Sequence, residues 1–147
     1  MILLNLVSII MEANELRIGN KVFNPYHEKV YTVEGFKYAR EVGGERRAFV
    51  STFEHSGNTV KLSVLEPIPL SESWLQKAGA TSAGDEWKLG NFTVKKQDGN
   101  FLVDAGKSPV KVTYVHDLQN LYFYFHGKTE LEFVSFHLHK SYFCWAK

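Results

Sequence analysis

At 147 residues the chain is sized for one ordinary domain, or for two small subdomains sharing a core. Its 44% apolar and 22% charged residues exclude the disordered class, and a formal charge of +1 provides no global field to recruit nucleic acid or an anionic membrane. A single cysteine, Cys144, excludes an internal disulfide framework and fits a reducing, cytoplasmic setting.

Residues 1–10 (MILLNLVSII) are apolar but short. A membrane span needs roughly 20 such residues. The basic n-region and small-residue cleavage site of a secretory signal are both missing. Met11 is therefore the expected natural start, with residues 1–10 a leader from an upstream start codon; an extra strand or a membrane-proximal peptide is the alternative. Residues 11–66 read as β. Leu16 to Phe23 is an apolar entry with a Gly-Asn turn, followed by a strand. Lys29 to Phe36 puts Tyr31 and Val33 on one face, and Arg47 to Phe53 comes next. Thr59 to Leu65 alternates, with Val60, Leu62 and Val64 opposite Lys61 and Ser63. Asn24-Pro25, Gly43-Gly44 and Ser56-Gly57-Asn58 supply the turns. Short strands without a helix predict a small SH3-like barrel, because closure hides the edges of so short a sheet.

Residues 67–130 read as an α-β-β-β-β-α unit. Two prolines in Glu66-Pro67-Ile68-Pro69-Leu70 stiffen a hinge. A helix over 71–79 follows, with Ser71 as N-cap, Glu72 near its positive end and Gly79 as C′. Leu70 and Leu75 are spaced for a hydrophobic staple, and Trp74, Leu75 and Ala78 form the buried face. Strands are expected at Glu86 to Leu89, Phe92 to Gln97, Asn100 to Asp104 and Val110 to Tyr114, with turns at Gly90-Asn91 and Asp98-Gly99. A second helix, 115–126, stops at Gly127. Val115, Leu118, Leu121, Tyr122 and Phe125 lie on one arc, and Phe123 lies on another beside His116, Gln119 and Asn120. Residues 131–147 form an aromatic, alternating tail resembling one or two strands. The expected class is α+β, with the two parts packed as one body.

Three blocks, Met11 to Asn20 (MEANELRIGN), Pro67 to Leu75 (PIPLSESWL) and Tyr114 to Phe123 (YVHDLQNLYF), resemble a set of small uncharacterised proteins. These occur in Bacteroidetes genomes, often in prophage-like or mobile regions. The resemblance covers about residues 11–131. It implies Met11 as the ancestral start and supplies no active-site residue. The leader, the loop from Glu41 to Arg47 and the tail after Leu131 depart from the pattern.

Chemistry-bearing candidates are few. His137, His139 and Cys144 have metal-ligating side chains, but no further cysteine completes a site, so neither metal nor cofactor is expected. His116 and Asp117 are adjacent on a helix and point about 100° apart, so both are expected to dress the helix N-terminus instead of forming an acid–base pair. No nucleophile elbow, Walker loop or dinucleotide fingerprint is present, and a non-enzymatic protein is expected. Lys37, Arg40, Arg46 and Arg47, interleaved with Tyr38 and Phe49, could border a nucleic-acid surface, although Glu34, Glu41 and Glu45 dilute the charge. Phe123 and Tyr124, with the polar His116, Gln119 and Asn120, have the composition of a protein interface centre for an unknown partner or a second copy. The competing reading wedges the helix inside the chain. The favoured function is an accessory or interaction protein of a mobile element with no membrane partner; nucleic-acid binding by the barrel is second, and an enzyme with an unrecognised site third.

Overall fold

The structure is a computed structural model, and it describes residues 11–40, 42–44, 46–55, 58–106 and 108–134. The leader, His137, His139, Cys144 and most of the aromatic tail lie outside the described residues, as do Glu41 and Glu45. The chain is α+β, with two antiparallel sheets and two α-helices among the described residues. It divides into two compact units. The first runs to Ile68 and adds Tyr114–Asn120; the second takes Pro69–Thr113 and the chain from Leu121.

The first unit holds β1 (Lys21–Asn24), β2 (Lys29–Arg40), β3 (Arg46–Thr52) and β4 (Thr59–Lys61), paired in that order. The Asn24 carboxamide accepts the Tyr26 N–H at 3.0 Å, an Asx turn that reverses the chain between β1 and β2. Phe23 and Glu66 exchange both backbone hydrogen bonds, at 2.9 and 2.8 Å. The chain thereby returns to the open edge of β1, and the sheet curls into a half-barrel. Val22, Tyr31, Val33, Val50, Leu62 and Leu65 fill it, with Met11 and Leu16 from the N-terminal side. Each such burial contributes roughly 1.5–3 kcal/mol.

Two expectations are corrected here. The second strand does not end at Phe36 but runs on to Arg40, through a bulge between Val33 and Gly35. The extra residue, Glu34, resets the alternation, so Val33 and Phe36 both face the core. Lys37 and Arg40 thus lie in β2, and Arg46 joins Arg47 in β3. The last run does not stay a strand: after Lys61 it becomes a 3-10 turn, Leu62–Val64, closed by Leu65 N–H on Leu62 O at 3.1 Å. Strict alternation would turn Leu65 outward; spacing of three in a 3-10 turn puts Leu62 and Leu65 on one side, where both are buried.

The second unit opens with α1 (Glu72–Lys77). Ser71 stands at the N-cap and offers its carbonyl to Trp74 and Leu75 N–H, with no side-chain cap bond. Gly79 takes φ 82°, and Ala80 N–H reaches back to Leu75 O at 3.0 Å, the six-to-one closure of a Schellman end. A meander follows: β5 (Thr81–Ala83), β6 (Glu86–Leu89), β7 (Phe92–Gln97), β8 (Asn100–Asp104) and β9 (Val110–Val112). Five strands replace the four expected. The unforeseen one, Thr-Ser-Ala, is exposed throughout and carries no apolar alternation to announce it. Trp87, Leu89, Phe92, Val94, Phe101, Val103 and Val112 form the buried face. The described start of the tail carries no strand; Val134 N–H donates to Lys77 O at 2.7 Å, and Phe133 meets Trp74 edge-on at 5.1 Å. α2 spans Val115–Phe125, its first residues grouped with the first unit and its last with the second.

Candidate functional site

The N-terminal part of α2 is built from local capping. Asp117 Oδ2 accepts the Tyr114 N–H at 3.1 Å, one arm of a capping box. Folding back to reach that amide brings Asp117 Oδ1 to 3.4 Å from His116 Nε2. The two side chains, expected to point about 100° apart, thus lie in contact, while Asp117 dresses the helix N-terminus as expected. His116 is buried, with its ring stacked on Tyr114 at 5.6 Å. Burial pushes its pKa below the usual imidazole value, against the opposing pull of the Asp117 and Glu15 carboxylates. The contact with Asp117 thus joins a neutral ring to a carboxylate and is not an ion pair. His116 Nδ1 has no hydrogen-bond partner among the described residues.

Gln119 is also buried, and its carboxamide accepts Lys21 N–H at 2.7 Å and donates to Gly19 O at 2.9 Å. That is the exchange a neighbouring strand would make, presented by one side chain. Asn120 accepts from the Asn20 carboxamide and donates to Glu15 O, both at 2.9 Å, while Asn20 also accepts Arg17 N–H at 2.7 Å. The reading of Gln119 and Asn120 as an interface centre is corrected: their polar groups close the first unit internally, and His116 is buried with its Nε2 against Asp117. Phe123 is half-buried, edge-on to Tyr124 at 5.6 Å. Tyr124 is 70% exposed and Phe125 48%.

The basic candidates are better placed. Strand register sets Lys37 opposite Phe49, and Phe49 opposite Lys61; Ala39 lies opposite Arg47. Directly paired residues share a face. Because Phe36, Val50 and Val60 occupy the core face, the row Lys37–Phe49–Lys61 and the neighbouring Arg47 stand on the outer face. Arg40 and Arg46, paired with each other, belong to the other face beyond the core, where the Arg46 guanidinium lies 4.8 Å from the Tyr38 ring centroid. The four cations picked from the sequence therefore divide two and two. Lys61 was missed, because the alternation marked it only as the polar side of a strand.

A cavity of about 240 Å³ opens where β4 ends. β4 stops at Lys61, opposite Phe49, and β3 extends past it through Ala48 and Arg47. The 3-10 turn carries the chain away, and the space is lined by Met11, Ala48, Leu62 and Ser63 with Arg47 and Lys61. A second cavity of about 320 Å³ is lined by Pro25, Tyr26, Ser63, Val64 and Glu66. It carries an acid where the first carries two cations.

No protein-family model, curated protein or solved structure matches this chain. Among the described residues no three His, Cys, Asp or Glu side chains gather as a metal site requires, and no helix is long and apolar enough to cross a membrane.

The second unit holds one further cluster that sequence reasoning passed over. His126 Nε2 accepts Asn91 N–H at 3.0 Å, its Nδ1 reaches Tyr122 O at 3.1 Å, and its ring stacks on Tyr122 and meets Phe92 edge-on. Both ring nitrogens are occupied by backbone, so the cluster anchors the Gly90-Asn91 turn and presents no reactive group.

Proposed function

We propose that this protein is a non-enzymatic, cytoplasmic accessory protein that holds nucleic acid on the outer face of β2, β3 and β4, the first unit being an SH3-like barrel. The observation that carries the reading is the row Lys37–Phe49–Lys61, an aromatic ring between two cations, with Arg47 beside it. Cations along such a face neutralise backbone phosphates, and a partly exposed ring offers a stacking surface that any base can use. A mobile-element setting, as the three sequence blocks imply, suits a protein that handles nucleic acid.

The test is fluorescence anisotropy with a labelled oligothymidylate at rising salt. Three phosphate contacts, one each for Lys37, Lys61 and Arg47, give a log–log salt slope of roughly −2. The double change Lys37→Ala, Arg47→Ala flattens that slope by about 1.4. Absence of binding at low salt rejects the reading.

A second reading, contact with a protein partner or a second copy, is favoured by the adjacent exposed rings of Tyr124 and Phe125. It expects Tyr124→Ala to abolish self-association or partner capture without affecting oligonucleotide binding.

A further inference from the structure

We propose that the cavity at the end of β4 receives one base of the bound strand, set against Met11, Ala48 and Leu62, with the two flanking phosphates on Arg47 and Lys61. This rests on the nucleic-acid reading above and adds a defined site to it.

Three observations converge. The cavity has an apolar floor, since Met11 and Leu62 belong to the core of the first unit, and a flat ring placed there leaves water for an apolar wall. Two cationic residues, Arg47 and Lys61, line the same cavity, so a ligand carrying negative charge a sugar's length beyond a flat apolar group is complementary to it. Ser63, exposed at the rim, adds a hydroxyl that both donates and accepts. Lys61 and Arg47 also belong to the outer face, and the cavity thereby continues the path laid out by Lys37 and Phe49. A strand crossing that face can stack one base on Phe49 and lower the next into the cavity. The neighbouring cavity, with Glu66 in its wall, repels the same ligand. The break in β4 that the sequence concealed is what opens the site.

The experiment uses the full chain, with 5′-AMP and an oligothymidylate as probes. On titration with 5′-AMP, the Met11 and Leu62 methyl resonances shift and saturate. Ser63→Trp, which fills the cavity from its rim and keeps both cations, abolishes this saturation. The same change weakens oligothymidylate binding roughly tenfold, the loss of one stacked base, with the salt slope kept. Ser63→Leu, a smaller change that narrows the mouth without altering charge, does the same should the tryptophan variant fail to fold. Undiminished oligonucleotide binding by the folded Ser63 variants overturns the cavity and leaves the outer face standing. Absence of oligonucleotide binding by the unaltered chain overturns both. Saturable shifts with decanoate but not with 5′-AMP overturn the nucleotide in favour of an anionic amphiphile.

Discussion

Gln119 shows how much one side chain can decide. Its carboxamide completes the hydrogen bonding of Gly19 and Lys21 as a strand edge would, at 2.9 and 2.7 Å. Gln119→Leu keeps the bulk and removes both partners. It is expected to cost about 1–3 kcal/mol, read from the urea midpoint, because a part-buried N–H and C=O lose their partners. An unchanged midpoint would mean water replaces the carboxamide without loss. His116 adds a pH dependence. Its folded pKa lies below the unfolded 6.5, so the unfolded chain binds more protons in the window between the two values. Stability is complete above 6.5 and falls as pH drops through 6.5 toward the folded value. His116→Phe, which retains a ring beside Tyr114, should flatten the stability curve in that window; the same curve for both proteins would place the titration elsewhere.

At the scale of elements, Gly90 carries the sharpest prediction. It sits at φ 56°, and a Cβ there would lie 2.6 Å from His126 Nε2. Gly90→Ala therefore combines backbone strain of about 1–2 kcal/mol with displacement of the ring that accepts Asn91 N–H. In a thermal double-mutant cycle with His126→Ala, the two costs should fall short of their sum by about 0.5–3 kcal/mol; strict additivity would remove the clash from the account. The meander was legible because alternation met two-residue turns, at one of which both residues, Asp98 and Gly99, take positive φ. Both helix ends were legible from Gly79 and Gly127. Thr81–Ala83 was not, since small polar residues leave no periodic signal, and the turn at Leu62–Val64 was not, since Val60, Leu62 and Val64 alternate as a strand would. The bulge at Glu34 hid the full length of β2 in the same way.

For the whole molecule, segments far apart in sequence are joined by specific hydrogen bonds. Within the first unit, Glu15, Gly19 and Asn20 of the first block are tied to Gln119 and Asn120 of the third, and Ile68 of the second accepts Val115 N–H at 2.9 Å. A buried amide on a helix looks the same in sequence whether its partner lies in the chain or outside it, and for that reason Gln119 and Asn120 resembled interface residues. The basic face escaped for the opposite reason: its members are scattered over β2, β3 and β4, and only register gathers Lys37, Phe49, Lys61 and Arg47. The most direct measurement is a map of backbone amide shifts on adding oligothymidylate at low salt. The largest changes are expected at Lys37, Arg47, Phe49 and Lys61, with Tyr124 and Phe125 still. Changes centred on Tyr124 and Phe125, or none at all, would contradict the assignment of nucleic acid to the half-barrel.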